Sequence, residues 1–103
     1  MSRGPDPGTV LVRAIEANAR VAGCAVRMSA SDWTRWASAT FTGARHALTL
    51  EADESGTLDD WLTALPETDL PIRGHLVADI VVTSTRRAGG VATVQLEALT
   101  VEE

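Results

Sequence analysis

Asp79 and Glu97 are the two residues whose types and spacing come nearest to a reactive pair. They lie in the segment His75 to Val101, which reads as two strands folded back around Arg87-Ala88-Gly89. With Gly89 at the left-handed position of a three-residue hairpin loop, Ile80 faces Leu96, Val82 faces Val94 and Ala78 faces Ala98. The same register sets Asp79 directly opposite Glu97 on the other side, where two like charges repel unless something compensates them. Such a pair binds a divalent cation through oxygen, or shares a proton so that one member serves as a general acid. The competing reading is that Arg27 or another arginine bridges the acids, and structural ion pairs far outnumber catalytic dyads. His75 shares their face but lies about 13 Å away along the strand, too far for joint ligation.

The remaining reactive groups are few. His46 follows a turn and reads as a hydrogen-bonded core or boundary group. Cys24 stands alone within Gly23-Cys24-Ala25-Val26, so it forms no internal disulfide and reads as a small buried hydrophobe. All nine positive side chains are arginine and there is no tyrosine, which removes lysine and phenol chemistry. No nucleotide-binding loop, zinc-type cysteine spacing, metalloprotease helix or nucleophile elbow is present, so the sequence assigns no catalytic residue and no cofactor, and leaves any metal undetermined.

Composition narrows the classes further. The chain of 103 residues fits one domain able to bury its own core. Residues 1–5 read as a flexible tail and residues 6–103 as a single α+β domain. The net charge is −5, with acids concentrated between Glu51 and Asp69, which disfavours nucleic acid as a partner. Mimicry of nucleic acid is weaker still, because those acids form no extended track. No apolar run is long enough for a membrane span, and the first residues lead into no signal-peptide core. The expectation is a cytoplasmic protein without a membrane partner.

The elements that must position these groups follow from periodicity. Asp6-Pro7 is a helix start, with Val10, Leu11, Ala14, Ile15, Asn18, Val21 and Ala22 on one stripe and Gly23 as the stop. Cys24 to Ala30 alternates as a strand, Ser31-Asp32 reads as a turn, and Ala37 to Phe41 alternates again. Thr42-Gly43-Ala44-Arg45 fits a hairpin turn, which sets His46 beside Phe41, Leu48 beside Ala39 and Leu50 beside Ala37. Thr57 with Asp60 resembles a capping box before Leu58, Trp61, Leu62 and Leu65, and Pro66 ends that helix. The predicted order is α-β-β-β-α-β-β. This makes a two-layer sandwich: a mostly antiparallel sheet of about five strands with both helices on one face.

The uncovered face should carry Arg27, Ser29, Trp36, Thr40, Thr42, Thr49, Glu51, Val77, Asp79, Val81, Thr83, Gln95 and Glu97. Trp36, Val77 and Val81 are large apolar groups for such a place and mark it as a surface for self-association or a protein partner. The aromatic run from Asp32 to Trp36 could face a sugar or a peptide, although Trp33 more simply covers the end of the core. Two readings of function result. One is a non-catalytic interaction or homo-oligomerisation module acting through the open sheet face. The other is a small-molecule or divalent-metal binder, or a minor enzyme, using Asp79, Glu97 and a histidine.

Overall fold

The computed structural model describes residues 6–103. Helix α1 spans Pro7–Val21, strand β1 Val26–Ala37, strand β2 Thr42–Asp53, helix α2 Gly56–Ala64, strand β3 His75–Ala88 and strand β4 Val91–Glu102, with a 3-10 turn at Leu65–Glu67 after α2. The protein is α+β, and each half is one helix followed by one long hairpin. The strands form one four-stranded antiparallel sheet in the order β1-β2-β4-β3, so β1 and β3 are its edges.

Local chemistry sets the helix ends. The Asp6 carboxylate accepts from the Thr9 amide at 2.7 Å, with Pro7 in the first turn, so an otherwise unpaired donor of α1 is satisfied. In α2 the cap is Ser55, two residues before the expected Thr57, and its hydroxyl accepts from the Leu58 amide at 3.0 Å. Leu11, Ile15 and Ala19 of α1 and Leu58, Trp61 and Leu62 of α2 enter one core cluster. Even-numbered positions of β2 and β4, from Leu48 and Leu50 to Val94 and Leu96, join them with Cys24, Leu65, Leu70 and Ile80. Val21, expected on the buried stripe of α1, is 89% exposed at the helix's last residue.

The sheet has four strands rather than five. The strand expected over Cys24 to Ala30 runs on through Ser31-Asp32 to Ala37 as the single edge strand β1, and the next expected strand, Ala37 to Phe41, is mostly the hairpin turn. A bulge at Ser29 reverses the side-chain alternation, which hides that continuation in the sequence. The Ser29 hydroxyl donates to the Thr49 carbonyl at 3.2 Å, bonding to the partner strand at the bulge. Thr83, at a bulge in β3, does the same with the Gln95 carbonyl at 3.2 Å.

The first hairpin turns at residues 38–41, not at Thr42-Gly43-Ala44-Arg45. The Ser38 amide donates to the Phe41 carbonyl at 2.7 Å and the Phe41 amide to the Ser38 hydroxyl at 3.0 Å. His46 therefore pairs with Trp33, Leu48 with Ser31 and Leu50 with Met28. Gly43 sits inside β2, where a Cβ would run into the Thr100 carbonyl oxygen and come 3.0 Å from Trp36 Cε2.

The second hairpin is also re-registered. Gly89 and Gly90 form a two-residue turn with φ of 60° and 80°, the pairing of positive angles that a tight hairpin needs. Ile80 pairs with Ala98 and Val82 with Leu96, two positions away from the expected partners. Bulges at Ala78 and Thr83 keep this parity only between Asp79 and Val82. Outside that stretch odd residues pair with even ones, as in Thr85 with Val94 and Val77 with Thr100.

Candidate functional site on the outer sheet face

The register assigns the side chains of the face turned away from the core. Four rows cross the strands in the order β1, β2, β4, β3. The first is Trp36, Gly43, Val101, Leu76, and the second Thr34, Arg45, Leu99, Asp79. The third is Asp32, Ala47, Glu97, Val81, and the fourth Ala30, Thr49, Gln95, Ser84. Ala47 is small and stands among long charged neighbours, which leaves a shallow depression of about 370 Å³ in the second and third rows.

Asp79 and Glu97 share this face but are not opposite each other: Asp79 pairs with Leu99 and Glu97 with Val81. They are diagonal neighbours about 7–8 Å apart at the backbone, so direct repulsion is relieved by geometry rather than by a bridging arginine. Arg27 instead pairs with Glu51 at 3.2 Å. Arg35 pairs with Glu102 at 3.7 Å, and Arg87 spans Glu54 at 3.3 Å and Asp59 at 2.9 Å. The Arg87 pairs tie β3 to the start of α2. No ion pair among the described residues engages Asp32, Arg45, Asp79 or Glu97.

His75 does not join the carboxylates. It opens β3 opposite Glu102, and its Nδ1 lies 3.4 Å from the Arg73 carbonyl. Among the described residues no three His, Cys, Asp or Glu side chains come together in a metal-holding arrangement. Val77 belongs to the other side: the bulge at Ala78 turns it onto the core, opposite buried Thr100. Trp36 does lie on the outer face, half-buried over Gly43, and its indole N–H is buried without a partner among the described residues. Val81 is 37% exposed.

Several outer-face residues escaped the sequence reading, Leu76, Leu99, Val101, Asp32 and Arg45 among them. Leu76 is 57% exposed beside half-buried Val101, and Leu99 stands in the next row. Asp32 and Arg45 were placed in turns, although Asp32, Thr34 and Trp36 alternate with Trp33 and Arg35 as a strand would. That alternation was the available signal.

His46 and Thr100 are the buried polar residues of the core face. His46 Nε2 lies 2.9 Å from the Thr100 hydroxyl, while Nδ1 is buried without a partner among the described residues. Burial, helped by the charge of His75 and opposed by Asp6, holds the His46 imidazole below its ordinary pKa. Trp33 closes the same end of the core against α1, where a Cβ on Gly8 would stand 2.8 Å from Trp33 Cδ1. Cys24 is buried, and desolvation raises its thiol pKa, the opposite of what a nucleophile needs.

No family model, curated protein or solved structure matches the chain.

Proposed function

We propose that the protein is a non-catalytic interaction module that docks another protein chain through the outer face of its sheet. The reading takes both helices as one layer on the core face, which leaves the opposite face uncovered. The observation that carries it is the exposure of Leu76 and Val81, 57% and 37%, on the surface that also bears Trp36, Leu99 and Val101. The apolar row of Trp36, Val101 and Leu76 adjoins the charged Asp32, Arg45, Asp79 and Glu97, a mixed apolar and polar surface of the kind protein interfaces use. The reactive groups argue for binding over catalysis: His46 and Cys24 are buried, and no three His, Cys, Asp or Glu side chains gather into a metal-holding group among the described residues.

Photocrosslinking in the cells that make the protein tests this reading. A benzophenone side chain at position 76 or 81 should give adducts of defined mass, and one at Asp60, exposed on α2, should not. Equal crosslinking from both sides, or none from positions 76 and 81, overturns the proposal.

A further inference from the structure

We infer that the segment docking on this face is cationic: it places a guanidinium or ammonium group over Ala47 and its aliphatic stem on Val81 and Leu99. The inference rests on the docking reading above and adds the chemistry of the partner.

Charge complementarity on a patterned surface sets the chemistry of the partner. Asp32 and Glu97 flank Ala47 within one row, and Asp79 stands diagonally beyond Glu97. Strands are spaced about 4.8 Å apart, so Asp32 and Glu97 are about 10 Å apart at the backbone, wide enough for one cationic head between two carboxylates. None of the three acids is paired with a cation among the described residues. Arg45, in the adjacent row, is diagonal to both Asp32 and Glu97 yet pairs with neither within 4.0 Å. Three acids against one base leave the depression acidic, within a chain whose net charge is −5. The apolar row Trp36, Val101 and Leu76 adjoins it, so the surface reads a mixed cationic and aliphatic segment rather than a bare charge.

A second copy of the chain is a poor occupant. Stacking two such faces brings two acidic depressions together in a partly dehydrated interface, where like charges repel more strongly than in water. An anionic partner such as nucleic acid meets the same obstacle.

The test uses the full chain and three capped pentapeptides with valine on either side of a central arginine, citrulline or glutamate. Binding is followed by backbone amide shifts in NMR titrations at low and at high salt. The arginine peptide should bind at least about ten-fold more tightly than the citrulline peptide, because the charge-assisted contacts are lost with the charge. Its shifts should centre on Asp32, Ala47, Asp79, Val81 and Glu97, and they should weaken at high salt. Asp79→Asn with Glu97→Gln should bring the arginine peptide to the citrulline level. Equal affinity for all three peptides, or no preference for arginine, overturns the inference while positive crosslinks from positions 76 and 81 leave the docking face standing. Outer-face shifts that depend on protein concentration alone, with a doubled mass in sedimentation, overturn it in favour of a second copy.

Discussion

The indole N–H of Trp61 donates to the side-chain carbonyl of Asn18 at 2.8 Å, joining α2 to α1 across the core. Trp61 is 5% exposed, so its ring supplies packing while Asn18 satisfies its one polar atom. Trp61→Ala should cost about 3–5 kcal/mol, the usual range for emptying an aromatic site. Asn18→Ala keeps the packing but leaves a buried donor unpaired, at about 1–3 kcal/mol. Urea denaturation checks both, and an Asn18→Ala protein as stable as the parent would show that water replaces the bond.

Gly43 and Thr100 approach so closely that the sheet admits no side chain at position 43. Gly43→Ala pushes a methyl group against backbone that cannot rotate away, and against the Trp36 ring. The expected loss is about 2–3 kcal/mol in the same denaturation assay. A loss under about 0.5 kcal/mol would show that β2 and β4 separate there easily. Gly56, with open space around its Cβ position, is the control.

The two hairpins show which parts of the fold were legible. Asp6-Pro7 and the apolar stripe of α2 are local signals, and they place both helices. The strand faces at Ile80, Val82, Leu96 and Ala98 follow from two-residue alternation and hold. Register failed at the turns and the bulges. Gly43 looked like a turn residue because sequence shows a missing side chain without showing whether a bend or a crowded neighbour requires it. The loop expected at Arg87-Ala88-Gly89 is instead a two-residue turn at Gly89-Gly90. Bulges at Ser29, Ala78 and Thr83 have no local signature, yet they decide that Val77 is in the core and Asp32 on the outer face. The site was therefore half legible: Asp79 and Glu97 share a face, while their offset and their neighbours Asp32 and Arg45 depend on non-local pairing.

Burial of His46 makes stability fall with acid. Its folded-state pKa lies below the ordinary 6.5, first through desolvation and then through His75, with Asp6 opposing. The unfolded chain therefore binds the proton more readily than the native one, and stability rises with pH over that interval. The contribution is complete above about pH 6.5 and is lost as pH falls through the lowered native value. Protonation would also place an N–H on Nδ1, which has no partner among the described residues. His46→Gln should flatten the dependence of melting temperature on pH just below about pH 6.5, leaving the carboxylate-driven loss at lower pH. Parallel curves for parent and variant would show that another group titrates there.

Leu76 and Val81 separate binding from stability. Both lie on the outer face, at 57% and 37% exposure, and neither enters the core cluster. Threonine at both positions has the β-branched character that suits a strand and removes apolar surface from water. The doubly substituted protein should unfold within about 0.5 kcal/mol of the parent, as surface changes away from caps and cores usually do. Crosslinking from a benzophenone placed at Leu99, in the adjoining row, should nevertheless fall, because an interface loses most when its apolar centre is removed. Val82→Thr is the matched control, since Val82 packs against the core: it should lower stability and leave crosslinking by the folded protein unchanged. If Leu76→Thr with Val81→Thr destabilises as much as Val82→Thr, the outer face is part of the fold's own packing and the docking assignment fails.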